Sequence, residues 1–380
     1  MDAMERLSAH LKARTSELWK LKKEGVKIVG YSPGGYMPEE LVYAAGAVPV
    51  CLARGGEPEP ITESLAYVPR FLDTFCRAQI GYRMMGEEPL YQMPDLMVVP
   101  ITDINSKVIA DSWNFYTDDD VFRLGVPGLK GDDADGYYLG SLQLFKEKLG
   151  SLTGNKVTDE KLRQAIESCN KMRGLLKNIS LMRKDGPPPI SSRDFVRLHH
   201  ASFYADKAVF LEILETLYEE LKKKDAHGSE GSRILFTGST LAMGDNRVFE
   251  LMEGTGAEIV FEEFAEGIRP YMHNVNLEGD PMEALADTYF AKRILPAWAR
   301  EWDETLAHLL KLTGEFNVDG VLWYQLMYRD GYDMQGFYFE GLLKKETGLP
   351  MLKLESDYDT SEKGPFKTRI ETFIQITQGG

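Results

Sequence analysis

The chain has 380 residues, of which 43% are hydrophobic, 27% charged and 11% aromatic. This length and composition fit a folded protein of two α/β domains with a helical connector, and they exclude a peptide-sized binding module and wholesale disorder. The 44 Lys and Arg residues against 59 Asp and Glu residues leave a net charge of −15, which repels phosphate backbones and anionic lipids and argues against a nucleic-acid or membrane partner.

The sequence carries no signal for a membrane or secreted location. No run approaches the ~20 apolar residues of a membrane helix. Residues 1–20 form a charged, amphipathic stretch without the apolar core of a signal peptide, and we therefore expect a cytoplasmic protein. The three cysteines, Cys51, Cys76 and Cys169, form no CxxC pair, which argues against a disulfide framework and against a zinc knuckle.

Strands and helices alternate in the first third of the chain. Residues 1–24 predict a helix that ends at Gly25. Strands are then predicted at 26–31, 47–53, 95–100 and 121–127, and helices between them at 39–46, 67–86 and 105–116. Because only crossover helices can return the chain to the same edge of a sheet, this alternation predicts a parallel sheet.

A helical segment separates this region from a second alternating one. Helix follows helix from residue 136 to residue 228, and residues 222–225, Gly228 and Gly231 predict a polar hinge. Strands are predicted again at 233–239, 257–263, 319–325 and 350–356, with helices at 246–256, 296–316 and 337–348. We therefore predict an α/β protein with a first α/β domain at 1–135, a helical connector at 136–229 and a second α/β domain at 230–380.

Ligands of open parallel sheets bind at the carboxyl ends of the strands. The candidate loops are 31–40, 101–107, 236–246, 262–271 and 324–336. The glycine-rich loop 32–35 lacks the spacing of a dinucleotide fingerprint, and no GxxxxGK[ST] motif is present, which disfavours a nucleotide phosphate site. The free backbone N–H groups at the start of the following helix could still bind an anion.

Other familiar chemistries have no support in the sequence. His199 and His200 are adjacent and point in different directions on a helix, and no HExxH motif occurs, so a histidine metal site is disfavoured. No GxSxG motif marks a serine hydrolase. The acidic pair Glu262 and Glu263 is typical of a solvated loop.

Cys76 stands apart from the other two cysteines. It lies between Phe75 and Arg77, where a neighbouring cation could lower the thiol pKa or a metal could bind. Cys51 lies in an apolar strand and Cys169 in the middle of a helix, and both are interpreted as packing residues.

Six segments of the chain, taken in order, resemble a known family. They are GYSPGGYMPEELVYAAGAVPV, FLDTFCRAQIG, DLMVVPITDINSKV, KVTDEKLRQAIESCNKMRGLL, RILFTGS and GLPMLKLESDYDTSEKGPFKTRIETFIQ. Together they cover nearly the whole chain and are similar to the 2-hydroxyacyl-CoA dehydratase and benzoyl-CoA reductase family, whose catalytic component is a dimer of two related subunits. PEELVYAAGAVPV and TRIETF are the most specific parts of the resemblance.

The resemblance implies two flavodoxin-like (Rossmann-like) parallel-sheet domains with a helical insert. It also implies a 4Fe-4S cluster, held between the domains by three cysteines of each subunit, since thiolates suit this soft cluster. A separate ATP-dependent activator would supply one electron at very low potential, and the acyl-CoA thioester would be reduced to a ketyl-type radical before dehydration or ring reduction.

The chain departs from the family at the cluster. The first family cysteine matches Cys76, but the second falls on Asp103, and the third falls near residues 328–330, where no cysteine occurs. Cys51 and Cys169 align with positions that are not ligands. Oxygen ligands suit Fe–S chemistry poorly, so a cluster held by Cys76 and Asp103 would be unusual.

Three interpretations remain open from the sequence. The chain is a cluster-poor subunit that contributes acyl-CoA contacts to a related, cluster-bearing partner and is served by the activator. Alternatively, it holds an atypical cluster through Cys76, Asp103 and an unassigned ligand. In the third, it is a non-catalytic acyl-CoA-binding or assembly protein on the same fold.

The resemblance also suggests site residues, each with a structural alternative. Ser32, Tyr36 and Glu39 lie where the family places groups near the thioester, with Ser32 and Glu39 as catalytic candidates; alternatively, Ser32 belongs to a turn and Glu39 to the first turn of a helix, where the dipole favours an acid. Asp103 is a third catalytic candidate and Asn105 a substrate-binding one; both could instead cap the helix that begins near residue 106.

Two arginines complete the predicted site. Arg269 and Arg329 could bind the anionic CoA phosphates, or could neutralise neighbouring acids in a strongly negative protein. Cys76 is the metal-ligand candidate, and Tyr328 and Tyr332 could pack where a cluster would otherwise lie.

Overall fold

The computed structural model of the chain describes residues 2–224, 231–299 and 301–379. Within these ranges the strands are β1 (Ile28–Tyr31), β2 (Val48–Cys51), β3 (Leu96–Ile101), β4 (Val121–Gly125), β5 (Arg233–Thr240), β6 (Glu258–Glu266), β7 (Gly320–Leu326) and β8 (Met351–Ser356). The α-helices are α1 (Ala3–Lys23), α2 (Glu39–Ala44), α3 (Pro58–Ser64), α4 (Thr74–Met85), α5 (Pro89–Gln92), α6 (Ile104–Tyr116), α7 (Asp132–Thr153), α8 (Asp159–Leu181), α9 (Ser192–Ala201), α10 (Lys207–Leu221), α11 (Arg247–Met252), α12 (Pro281–Ala286), α13 (Trp302–Glu315), α14 (Asp330–Thr347) and α15 (Lys363–Gln378). A π-helical turn (Asp287–Ala291) follows α12, and a 3₁₀ turn (Thr360–Glu362) precedes α15.

The strands form two four-stranded parallel sheets of identical topology. The first has the order β2-β1-β3-β4 and the second the order β6-β5-β7-β8. In each sheet the first strand of the unit lies between the second and the third, which is the doubly wound, flavodoxin-like arrangement. The predicted fold class, two parallel α/β halves with a helical insert, is confirmed.

The strand sequences explain why these sheets are central. β1 (IVGY) and β7 (GVLWYQL) are buried along their whole length. Such continuous apolar runs are typical of parallel strands covered by helices on both faces, because a half-exposed strand would alternate polar and apolar residues. Among the described residues, no helix combines the length and apolarity needed to cross a bilayer.

Several predicted helix limits are wrong, and the differences affect the site. The helix predicted at 67–86 begins only at Thr74, because the Asp73 side chain caps its first turn. The helix predicted at 337–348 begins at Asp330, so Tyr332 and Gln335 lie on a helix rather than in a loop. Helices α3 and α12 were missed, although each has proline at its start. The predicted hinge lies partly at residues 225–230, outside the described residues.

One segment of the second half packs against the first sheet. Met282, Leu285, Phe290 and Leu295 belong to the apolar core that also contains Val29 and Leu96 of the first sheet. The ring of Phe290 stacks on that of Tyr138, with 5.2 Å between centroids. We call residues 282–295 the crossing segment, because they belong to the second half of the chain and pack against the first sheet.

Candidate functional site

The carboxyl ends of the two sheets meet in the structure. The Met243 N–H, after β5, donates to the Ala53 carbonyl, after β2, at 2.7 Å. The Thr74 N–H donates to the Met327 carbonyl, after β7, at 3.3 Å. Ligands of doubly wound sheets bind at this end, where the strand order reverses. The loops predicted from the sequence to carry the site therefore lie at the junction of the two halves.

A buried arginine connects three carboxylates at this junction. Arg329 Nη1 lies 3.3 Å from Asp73 Oδ2 and 3.5 Å from Asp103 Oδ2, and its Nη2 lies 2.9 Å from Glu266 Oε1. We call these four residues the Arg329 cluster. Burial raises the pKa of Asp73 to about 7, although the Arg329 cation acts in the opposite direction. Burial also disfavours the Arg329 cation, but the carboxylates outweigh this effect and hold its pKa well above the ordinary value.

The local backbone places Arg329 in this position. Tyr328 has a φ of 64°, in the left-handed region that non-glycine residues seldom adopt, and Arg329 follows it at the N-cap of α14. The Arg77 guanidinium lies 5.7 Å from the centre of the Tyr328 ring. The Tyr332 ring lies 5.1 Å from the Arg329 guanidinium on its other side. Backbone strain of this kind is found most often at functional sites.

Asp103 fulfils the structural alternative that the sequence allowed, whereas Asn105 lies within α6 and does not cap it. Asp103 caps α6 by accepting a hydrogen bond from the Ser106 N–H at 2.9 Å. Asn105 Oδ1 accepts a hydrogen bond from the Asp73 N–H at 3.2 Å. Both side chains therefore organise the Arg329 cluster and its backbone, and the partly buried Asp103 carboxylate is also paired with Arg329.

Cys76 is buried beside this cluster. It lies in the first turn of α4, where the Asp73 carboxylate accepts a hydrogen bond from its N–H at 3.2 Å. Its Sγ donates to the Asn105 carbonyl at 3.4 Å. Burial raises the pKa of the Cys76 thiol well above its ordinary value, and the Asp73 and Asp103 carboxylates raise it further. In these surroundings the protonated thiol is the favoured form of Cys76.

These side chains do not fit a 4Fe-4S cluster. Of the three family ligand positions, only Cys76 offers sulfur, while Asp103 offers a carboxylate that is engaged with a cation. The third is predicted near residues 328–330, a segment that has no cysteine and in which the guanidinium of Arg329 cannot donate an electron pair to iron. Among the residues that the structure describes, no group of three or more His, Cys, Asp and Glu side chains is placed to hold a metal ion.

Glu39 is held by a second buried ionic network. At the start of α2 it accepts hydrogen bonds from Tyr31 Oη at 2.5 Å and Arg269 Nη2 at 2.9 Å, and Lys207 Nζ lies 3.4 Å away. Burial acts to raise the pKa of Glu39, but the two cations outweigh it and the net pKa is lowered. Glu39 is therefore ionised and fully paired, and Arg269 neutralises it.

Ser32 and Tyr36, in the loop after β1, have free hydroxyl groups. Both side chains are buried, at 6% and 1% exposure, and neither Oγ nor Oη has a hydrogen-bond partner within the described residues. Burial raises the pKa of Tyr36 to about 12, so this hydroxyl remains protonated and can donate a hydrogen bond. Of the predicted site residues, these two have hydroxyls that no group within the described residues engages.

A cavity of about 170 Å³ opens beside this loop. Its wall includes Gly35, Arg269, Arg293, Tyr332 and Trp323, and thus combines the loop after β1 with α14, β7 and the crossing segment. Sequence reasoning identified Gly35 and Arg269 near this site but missed Arg293. The sequence signal that could have identified Arg293 is the pair of basic residues at 292–293 in a strongly acidic chain.

Buried ion pairs elsewhere correct one sequence interpretation. Glu262 is not on a solvated loop: it lies in β6 at 1% exposure and accepts two hydrogen bonds of 2.7 Å from Arg183. Glu40, next to Glu39, is likewise buried and accepts from Arg173 at 2.8 Å. Charges in the interior are paired because an isolated buried charge is costly.

Comparison with known proteins agrees with this architecture. Residues 35–377 match the family described as 2-hydroxyglutaryl-CoA dehydratase, D-component. The chain belongs to this family. The membership that the six segments predicted is therefore confirmed, and the match extends from the loop after β1 to the last helix.

Individual members of the dehydratase family are similar over most of their length. YjiM of Escherichia coli (strain K12), named as a dehydratase subunit, is 26% identical over 360 residues, which cover 94% of this chain and 93% of the relative. The (R)-phenyllactyl-CoA dehydratase beta subunit of Clostridium sporogenes is 25% identical over 360 residues, covering 93% of each chain. One of the subunits of the benzoyl-CoA reductase of Thauera aromatica is 25% identical over 296 residues, covering 77% of this chain and 75% of the relative. All three relatives are named as subunits.

Proposed function

We propose that this chain is the cluster-free subunit of a 2-hydroxyacyl-CoA dehydratase or benzoyl-CoA reductase type of enzyme, acting on an acyl-CoA thioester together with a related, cluster-bearing subunit. The observation that supports the proposal is the Arg329 cluster: Asp103, at the predicted second cysteine position, forms an ion pair with Arg329, which lies in the segment where the third cysteine is expected. The partner's cluster, supplied with electrons by an ATP-dependent activator, would provide the redox chemistry. This chain would bind and orient the substrate.

Within this proposal, Ser32 and Tyr36 contact the substrate. Their hydroxyls are buried without partners in the loop that contributes Gly35 to the cavity wall, and they would donate hydrogen bonds to the thioester carbonyl oxygen. Such donors favour charge that develops on that oxygen during reduction.

Glu39, Asp103, Asn105, Arg269 and Arg329 are positioning residues in this proposal. Glu39 and Asp103 are engaged with cations, and Asn105 is bound to the backbone of Asp73. Arg269 and Arg329 neutralise these buried acids rather than remaining free for CoA phosphates. Their role is to hold the loops after β1, β3 and β7 in register around the thioester.

The test is reconstitution with a cysteine-complete family member from the same organism. The full chain is purified anaerobically alone and co-expressed with that partner, and iron and sulfide are measured in both preparations. Activity is then assayed on (R)-2-hydroxyacyl-CoA and aryl-CoA thioesters with ATP and the activator. We expect iron to be substoichiometric in the isolated chain and activity to require both subunits.

Two variants and a binding measurement distinguish the proposal from the atypical-cluster and binding-protein alternatives. Cys76→Ala should leave the iron content of the complex unchanged, whereas Ser32→Ala should lower turnover without changing iron. A cluster in the isolated chain that is lost in Cys76→Ala would refute the proposal and establish an atypical cluster. Tight acyl-CoA binding without activity in the presence of the partner and activator would instead establish a binding or assembly protein.

A further inference from the structure

Arg293 differs from the other basic residues of the cavity. Four arginine and lysine side chains line the cavity, and three of them have carboxylate partners: Arg173 pairs with Glu40, Arg269 with Glu39 and Lys292 with Asp287. Arg293 alone has no carboxylate partner within the described part of the chain, and its buried Nη1 has no hydrogen-bond acceptor. A buried guanidinium nitrogen without an acceptor is costly, which points to an anionic ligand.

Two neutral donors line the same cavity. Tyr332 and Gln335 are 5% and 2% exposed, and Tyr332 Oη and Gln335 Nε2 have no hydrogen-bond partner in the regions that the structure describes. The two residues are three positions apart on α14 and therefore lie on one face of the helix. Together with Arg293 they supply three unused donors to one cavity.

The fold holds the Arg293 guanidinium in place. It lies over the Tyr36 ring, 4.1 Å from the ring centre, a cation–π contact that fixes its plane. On its other side is Gly35, with a φ of 70°, where an added Cβ would collide with Arg293 and with Pro270. The loop after β1 thus leaves room for the guanidinium only because residue 35 is glycine.

The neighbouring carboxylates do not pair with Arg293. Glu266 already accepts from Arg329 at 2.9 Å and from Thr240 at 2.8 Å. Glu301 accepts from the Lys130 N–H through Oε1 at 3.1 Å, and its Oε2 has no partner. Glu263, in the cavity wall, lies 3.5 Å from His308. Among these described carboxylates, Glu301 has the free oxygen that could compete with a ligand for Arg293.

The rest of the cavity wall is largely apolar. Phe264, Trp323 and Phe339 are among the residues that form it. An apolar cavity of about 150 Å³ is enough to hold benzene, so the volume of about 170 Å³ found here admits one aryl ring or a short branched alkyl group.

We propose that this cavity binds an organic acid as its free carboxylate, with an aryl or short alkyl body against Trp323 and Phe339 and the carboxylate oxygens on Arg293, Tyr332 and Gln335. A carboxylate fits because it accepts several charge-assisted hydrogen bonds from a guanidinium and neutral donors at once. A neutral thioester carbonyl would leave the guanidinium without a counter-charge. The inference rests on the donors of the cavity and not on the proposed catalytic function.

Calorimetric titration of the full chain, alone and in complex with its partner subunit, tests the proposal. The probes are 3-phenylpropanoate, its primary amide and the neutral pantetheine thioester of the same acid. We expect the carboxylate to bind at least about tenfold more tightly than either neutral probe, because a hydrogen bond to a charged group contributes more than a neutral one. Arg293→Met should remove roughly tenfold or more of the carboxylate affinity and leave that of the amide nearly unchanged.

Further variants separate binding from folding. Arg293→Lys keeps the charge and should retain part of the preference for the carboxylate probe. Tyr332→Phe should lower the affinity for the carboxylate probe by a smaller factor than Arg293→Met does. Glu301→Gln removes the competing carboxylate and should leave carboxylate binding equal or tighter. Arg123→Met removes an exposed arginine that pairs with Asp111 and should have no effect. Equal affinity for acid and neutral probes, unchanged carboxylate binding in Arg293→Met, or no saturable binding of the acid would each overturn the proposal, whatever the outcome of the reconstitution assay.

Discussion

Replacement of Arg329 by methionine removes a cation from among three buried carboxylates while keeping a long side chain. Asp73 is 1% exposed, and the side chains of Asp103 and Glu266 are each 15% exposed. Removal of one partner from a buried ion pair typically costs 3–5 kcal/mol, because the remaining charge is left desolvated. We therefore expect Arg329→Met to lower the free energy of unfolding at pH 8 by about 3–5 kcal/mol.

The loss should depend on pH in a defined direction. The pKa of Asp73 is raised to about 7 even with Arg329 present, and removal of the cation raises it further. In the variant the carboxyl takes up a proton more readily, and a neutral carboxyl does not need the guanidinium. The difference between variant and wild type should therefore be smaller at pH 5.5 than at pH 8.

Urea unfolding followed by circular dichroism at the two pH values measures both effects. The control is Arg123→Met, which removes an arginine from an exposed pair with Asp111 and should change stability by less than about 1 kcal/mol. The double variant Arg329→Met, Asp103→Asn should lose less than the sum of the two single variants, because it removes one of the uncompensated charges. A loss below about 1 kcal/mol at pH 8, or a loss that grows on acidification, would contradict this account of the cluster.

Three further predictions concern neighbouring groups. The raised pKa of Asp73 favours its protonated form in the folded state, so its contribution to stability should be lost as pH rises from 3.8 toward about 7, and Asp73→Asn should flatten that part of a stability–pH profile. Glu39→Gln should lower the free energy of unfolding by roughly 3 kcal/mol, because it leaves Arg269 without its carboxylate. Since the pKa of Glu39 is lowered, this stability difference between wild type and variant should be present above pH 4.5 and disappear below it. A stability difference that stays constant with pH would contradict this. The three cysteines are buried with raised pKa values, so a thiol reagent at pH 8 should modify none of them in the native protein and all three in denaturant; rapid native labelling of Cys76 would contradict the structure.

The fold class followed from local patterns along the chain. Buried strands such as β1 and β7 are continuous apolar runs, and the helices between them are long enough to act as crossovers. These signals are local in sequence, so two parallel sheets could be predicted without knowledge of tertiary contacts. The start of α4 was also available locally, since Asp73 caps the N–H groups of Phe75 and Cys76, but the prediction did not use this signal. The start of α14 was not available locally, because it follows the left-handed backbone at Tyr328.

The same distinction between local sequence and tertiary contacts applies to the site. The family resemblance predicts from the residue identities alone that two of the three cluster-ligand positions contain no cysteine, since residue identities need no folding to be read. That Arg329 lies among Asp73, Asp103 and Glu266 depends on contacts across 256, 226 and 63 positions of the chain. The free donor on Arg293 likewise appears only once the loop after β1 has folded against the segment that follows α12. Charge pairing and burial are properties of distances between remote residues, and it is the packing of the two sheets against each other that sets those distances.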